Sequence, residues 1–325
     1  GRREGAHRDP VPRGRALRFA GRRLLTAVPV LWAAVTLSFA MLHLVPGDPV
    51  KIMLDGAGSA APATPAQERA LRHELGLDQP LAAQYARYLG HAARGDFGRS
   101  YESGRPVTQA LGRVLPGSLA LMGCALALAL LLGTGLAIAG TATGSRVLGG
   151  LLSTTQIVGA ALPSYWVGLM LMELFSFRFP LLPATGDQGL ESLVLPAVTL
   201  ALPTAGFIAQ ILGGSLRQTL AQPFITTARA KGAGRLRTLT RHALRNAAIP
   251  ALTVAGTTIG GLLGGAVVVE TVFARPGLGR TVVDAVNAHD YPVVQGFVCL
   301  TTAGYIAISL ALDLLYSLLD PRVAP

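Results

Sequence analysis

Charged side chains are scarce in this 325-residue chain: Asp, Glu, Lys and Arg together make up 14% of it, where soluble domains carry about 25%. Hydrophobic residues make up 51% and the mean hydropathy is +0.48, so a water-soluble fold is excluded as the working reading. Acidic residues are the scarcer sign, 17 against 28 basic, for a formal net charge of +11. In a soluble protein that excess would point to nucleic acid. Beside apolar runs it is the mark of cytoplasmic membrane loops, and no nucleic-acid partner is expected. Only two cysteines occur, Cys124 and Cys299, both inside apolar stretches, where the residue serves as a small hydrophobe. The histidines His7, His43, His73, His91, His242 and His289 are scattered, with no HExxH and no cysteine partner, so no metal site is expected. Neither a GxxxxGK[ST] loop nor a GxSxG elbow is present. The chain is therefore not its own P-loop ATPase, and no catalytic residue and no cofactor of its own are expected.

What the chain does have is apolar runs of bilayer length, about 20 residues each. They cover 24–45, 116–139, 148–175, 193–213, 247–269 and 293–315. The fold class expected is an all-α polytopic membrane protein with six transmembrane helices. Glycines such as Gly133, Gly135, Gly260, Gly261, Gly264 and Gly265 suit helices that pack closely in lipid. Eight arginines from Arg2 to Arg23 precede the first run, which is longer than the apolar core of a cleavable signal and is read as an uncleaved span. Basic residues stay on the cytoplasmic side. Segment 214–249 holds Arg217, Arg229, Lys231, Arg235, Arg237, Arg241 and Arg245 with no acid, so it and both termini are placed inside.

These runs divide the chain into a basic cytoplasmic segment 1–23, a first span 24–45, an extracytoplasmic insertion 46–115, a transmembrane core 116–316 with the cytoplasmic loop 214–249, and a cytoplasmic tail 317–325. Within the insertion, short helices are expected over 66–75 and 81–89, broken by the turn GLDQP at 76–80. In the cytoplasmic loop a short helix over 226–231 should stop at Gly232, because glycine accepts positive φ without penalty. A basic amphipathic helix should follow over 235–246. Physical chemistry leaves two readings of that loop open, a membrane-surface helix and a docking element for a cytoplasmic partner.

The stretch TARAKG followed by RHALRNAAIP resembles the EAA loop of ABC importer permeases, in the version carried by the dipeptide, oligopeptide and nickel family. LVPGDP, LGLDQPLAAQYARYLGHAARGDFGRSY, LPATG, ETVFARPGLGRTVVDAVNAHDYPVV and LDLLYSLLDPRV resemble recurring patterns of the same family, in order, from about Arg22 onward. The resemblance implies a type I ABC importer permease fold in a bacterial cytoplasmic membrane. It implies a second homologous permease, two ATPases carrying the ATP and Mg, and an extracytoplasmic substrate-binding protein. The cargo would be a dipeptide, oligopeptide, nickel chelate or glutathione. It assigns ATPase coupling to Thr226, Thr227, Ala228, Arg229, Ala230, Lys231, Gly232 and Ala233, with Thr226–Thr227–Ala228 where the general loop has Glu-Ala-Ala.

Gly95, Asp96, Phe97, Gly98 and Ser100, with Pro276, Gly277 and Gly279, are expected at the outer mouth or against the binding protein. His289 stands where many members have arginine, and Ser309 where many have asparagine. Glu173 and Asp313 are the ionisable residues set deepest in apolar runs, and each is read as interfacial or packed against protein. The rival from another class is an ATP-independent secondary transporter or channel, which tends to show inverted repeats and midplane charges. No repeat between the halves is evident.

Overall fold

The computed structural model describes residues 13–44, 50, 51, 54, 64–74, 76–143 and 145–319. The expectations for the basic segment before residue 13, for LVPGDP beyond Leu44, for residues 55–63 of the insertion, for the tail beyond 319 and for the Asp313 side chain lie outside the described residues. The contacts divide the chain into one unit of 47–297 and another made of 1–46 with 298–325.

Every described element is helical apart from an isolated bridge between Arg99 and Pro106. In the smaller unit, α1 (Arg13–Leu44) contains Pro29 and exposes Leu25, Val28, Trp32 and Leu37. The insertion contributes α2 (Pro65–Glu74) and α3 (Leu81–Ala92). Thr64 and Gln67 close a reciprocal cap at the start of α2: the Thr64 N–H donates to Gln67 Oε1 at 2.9 Å, and the Gln67 N–H to Thr64 Oγ1 at 3.4 Å. Gly76, at φ +66, turns the chain between the two helices.

The larger unit is built from α4 (Val107–Ala142), α5 (Arg146–Ala161), α6 (Ser164–Met172), α7 (Glu191–Leu220), α8 (Pro223–Ala230), α9 (Leu244–Val272) and α10 (Leu278–Asn287). α11 (Tyr291–Leu319) begins in it. The apolar run at 148–175, expected as one span, is two helices bent by 101°. The cause is Pro163: a residue before proline is driven out of the helical region, and Leu162 sits at φ −70, ψ 126. The second helix then loosens into a π-helical turn, Glu173–Arg178, whose Glu173 is exposed. The basic helix expected over 235–246 is also irregular. It opens with one turn, Arg235–Arg237, passes through a π-helical segment, Thr238–Ala243, and runs on into α9.

Among the described residues three helices are long and apolar enough to cross a membrane, within Val107–Ala142, Glu191–Leu220 and Tyr291–Leu312. The bent pair makes a fourth if it counts as one span, and Leu25–Met41 and Gly260–Val272 are shorter apolar helices.

α7 packs along α4, α5, α6 and α9 and takes part in two apolar cores. The first joins Leu121, Ala125 and Ala129 of α4, Leu195 to Ala205 of α7, Leu262, Ala266 and Val269 of α9, and Met172 and Phe273. The second joins Ala137, Leu212, Leu216, Ile225, Leu239, Ala243 and Ala247.

Two glycines set the approach to α7. A Cβ on Gly206 would lie 2.5 Å from the Ala160 nitrogen and 2.8 Å from the Gly159 carbonyl carbon, and one on Gly133 would lie 2.8 Å from the Ala205 oxygen. Gly265 is also tight, against Leu200, whereas Gly135, Gly261 and Gly264 face open space. Gly206→Ala should therefore force α5 off α7 and destabilise the fold by about 1–3 kcal/mol. Gly214→Ala, which meets nothing within 4 Å, should be neutral or stabilise by up to about 1 kcal/mol. Thermal unfolding in detergent measures both, and equal effects would contradict this packing.

Candidate functional site

The basic loop forms one candidate site. Pro223 opens α8 at its first turn, where the missing N–H costs nothing. Ile225 is 1% exposed and inserts between α4, α7 and the π-helical segment as part of the second core. The rest of α8 faces outward: Phe224, Thr226, Thr227, Arg229 and Ala230 are exposed, and Ala228 is half-buried. The helix ends as expected. Gly232 adopts φ +83, its N–H donates to the Arg229 oxygen at 2.9 Å, and the Ala233 N–H donates to the Ala228 oxygen at 3.2 Å. Lys231 and Gly232 are exposed and Ala233 is half-buried. Thr238, fully buried, locks the turn from behind by donating its hydroxyl to the Ala233 oxygen at 3.3 Å and its N–H to the Gly234 oxygen at 2.9 Å. All eight residues assigned to coupling thus lie on one short helix and its cap, held by a single apolar anchor.

At the far end of α9 a second constellation forms around Glu270, which is 0% exposed. Its Oε1 accepts the Ser118 hydroxyl at 2.5 Å. Its Oε2 accepts the N–H of Gly279 at 2.7 Å and of Arg280 at 3.4 Å. Ser118 accepts in turn from the Leu278 N–H at 2.8 Å. The first N–H groups of α10, unpaired within the helix and carrying its positive end, are thereby satisfied by one carboxyl group and one hydroxyl. PGLG is required sterically. A Cβ at Gly277 would lie 2.1 Å from the Glu270 carboxyl carbon, and one at Gly279 would lie 2.3 Å from the Val267 Cα. Beside this latch, Arg275 is 7% exposed and donates from Nη1 to Ser192 Oγ at 3.4 Å.

A second carboxyl group, Asp290, is 2% exposed and pins the loop before α4. It accepts the Ser100 hydroxyl at 2.5 Å and the N–H groups of Tyr101 at 3.1 Å and Glu102 at 3.5 Å. Tyr101 packs edge-on against Tyr291 at 6.5 Å between centroids. Its phenol is pushed up to about 12 by burial and by the nearby Asp290 and Tyr291, so it stays protonated. His289 is exposed, at φ +55, with its ring edge-on to Tyr291.

The structure divides the eight residues expected at the mouth. Ser100, Gly277 and Gly279 are buried and serve the two carboxyl groups. Gly95, Asp96, Gly98 and Pro276 are exposed and Phe97 is half-buried. Asp96 accepts from the Gly98 N–H at 3.0 Å and faces His91 Nδ1 at 3.0 Å. Those contacts, the Gly98 N–H foremost and then His91, hold its carboxyl below the usual range.

Sequence reasoning missed Glu270, Ser118 and Asp290 as a group. One signal was available: no acid occurs between Ser192 and Val269, and the first to follow is Glu270, seven residues before PGLG's first glycine. Glu270→Ala would leave two buried donors and a part-buried one unpaired and should cost about 3 kcal/mol. A lower thermal midpoint than Glu173→Ala, at an exposed site, is the expected result, and equal midpoints would contradict the latch.

Comparison with known proteins gives the family. Residues 107–325 match the family model described as binding-protein-dependent transport system inner membrane component, and residues 16–122 match its N-terminal counterpart. The chain is 38% identical over 309 residues to the glutathione transport system permease protein GsiC of Salmonella paratyphi A (strain ATCC 9150 / SARB42), covering 94% of this chain and 99% of that one. It is 35% identical over 308 residues to the protein of the same name from Escherichia coli (strain K12), again covering 94% and 99%. A solved structure titled as an amino acid ABC transporter with histidines aligns at a TM-score of 0.49 and 18% identity, over 66% of this chain and 95% of that one. The chain belongs to the family of binding-protein-dependent transport system inner membrane components: it is a multi-pass permease subunit of an ABC importer of the peptide and nickel type.

Proposed function

We propose that this chain forms half of an import pathway for a peptide-type solute, with glutathione or a di- or oligopeptide favoured over a nickel chelate. The glutathione transport named for its relatives supports that cargo class. In this reading six segments cross the membrane, both termini and α8 are cytoplasmic, and the Glu270 and Asp290 latches face outside. A second permease completes the pathway, and a binding protein delivers solute to the exposed part of 95–98 and to Pro276. Two separate ATPases bind ATP and Mg.

The observation that carries the proposal is the construction of α8, exposed on one face and fixed on the other by Ile225 in a core shared with α4, α7 and the π-helical segment leading into α9. A partner that grips Thr226 to Ala233 therefore holds a handle on three long helices. Importers of this kind need two arrangements of those helices rather than catalytic groups. ATP-driven closure of the motors would move the handle, and the anchor would pass that movement on.

Replacing Ala228 with Trp and Gly232 with Leu tests this directly. The first fills the half-buried side of α8, and the second places a branched side chain at φ +83. The expected outcome is a complex that still hydrolyses ATP but no longer imports solute, measured as solute taken up per ATP in proteoliposomes. Coupled import at the wild-type ratio would contradict the assignment.

A further inference from the structure

Arg275 carries a positive charge that nothing described in this chain answers. The residue is 7% exposed and its backbone is fixed, its N–H donating to the Glu270 oxygen at 2.9 Å. Its guanidinium gives Nη1 to Ser192 Oγ at 3.4 Å, and that hydroxyl donates onward to the Gly189 oxygen at 2.9 Å. Nε is buried without a partner. Among the described residues no carboxylate pairs with Arg275: the ion pairs found are His73–Asp78, His91–Asp96 and Arg280–Asp284. Glu191, beside Ser192, is exposed.

The surroundings make the charge less comfortable rather than more. Ser192 lies in the first turn of the 30-residue α7, where backbone N–H groups present the helix's own partial positive charge. A buried cation facing that end, with one neutral hydrogen bond, is among the least favourable arrangements a fold can hold without a counter-ion.

The geometry of the guanidinium states what kind of counter-ion fits. With Nη1 engaged by Ser192, the edge left over is Nε–H with the adjacent Nη2–H. These are two parallel donors at the spacing of the two oxygens of a carboxylate. Nε itself is closed to solvent and the whole residue keeps only 7% exposure, so the edge admits a small group at the end of a flexible molecule, entering as the outer end opens, rather than an acid carried on a protein surface. The geometry points to a carboxylate-binding subsite formed by the free edge of Arg275 and the first turn of α7, taking a carboxylate of the imported solute. This rests on the peptide-type reading given above, since such solutes end in a free carboxylate.

The experiment uses the whole complex with its ATPases and binding protein in proteoliposomes. Two probes are compared: a dipeptide with a free C-terminal carboxylate and the same dipeptide as its C-terminal amide. Wild type, Arg275→Gln and Arg275→Lys are measured with one binding protein, so that protein's own preference cancels from the ratios. The acid-to-amide ratio of kcat/KM should fall about tenfold in Arg275→Gln, the equivalent of one lost charge-assisted hydrogen bond. It should fall in Arg275→Lys as well, which keeps the charge but has no fork. An unchanged ratio, or equal loss for both probes, would overturn the carboxylate assignment and leave the import reading standing. Import of neither probe by the wild type would overturn the peptide-type reading and this subsite with it. Should Arg275→Gln fail to assemble, the Arg275→Lys ratio decides alone.

Discussion

α7 lies backbone to backbone against two neighbours, with Gly206 on the Gly159–Ala160 turn of α5 and Ala205 on Gly133 of α4. In lipid there is no water to drive helices together, so the approach permitted by small residues supplies much of the packing. Both apolar cores are built on α7, and both candidate sites hang from those cores. Polar contacts follow from the same approach. Gln156, 3% exposed, donates its side-chain amide to the Leu136 oxygen at 3.2 Å, and Gln210 donates to the Gln156 backbone oxygen at 3.1 Å. Such bonds form only where α4, α5 and α7 are nearly in touch.

The two ends of this scaffold are fastened in different ways, and the difference suits the proposed function. Ile225 holds α8 by dispersion and burial alone, worth about 2 kcal/mol, and an apolar anchor can shift as the helices move. Glu270 and Asp290 are multidentate latches, each accepting an Oγ–H from a segment distant in sequence together with backbone N–H groups, from the nearby start of α10 for Glu270 and from the loop before α4 for Asp290. They fix the PGLG turn and the loop before α4 in position. Movement applied at α8 would thus be passed along α4, α7 and α9 toward an end whose local geometry is held rigid.

Much of this was legible in the residues. Over its described residues each apolar run lies on a helix or helix pair, because runs that must satisfy their own backbone groups leave few alternatives to a helix. The GLDQP turn announced the break after α2, and Gly232 announced the end of α8, since both signals act within one turn of chain. The run at 148–175 hid its break: composition does not change across Pro163, and only the proline's effect on Leu162 decides the 101° bend. The latches were hidden for another reason. Ser118 and Glu270 meet across 152 residues and Ser100 and Asp290 across 190, and no local pattern pairs a serine with a distant acid. Glycine placement was half legible. The glycines around Gly133 and Gly265 drew notice, yet the tightest contact between long helices is at Gly206, whose neighbours became known only when α5 and α7 crossed.

We propose that α8 is where the energy of ATP enters this permease. The most direct measurement is a crosslink from Thr227→Cys, on the exposed face of α8, to single cysteines on the ATPase subunit in the assembled complex. A crosslink at Thr227, with none from a cysteine placed at exposed Pro276, is the expected result. Crosslinking from Pro276 but not from Thr227, or none from either, would mean that the basic loop is not the motor's handle.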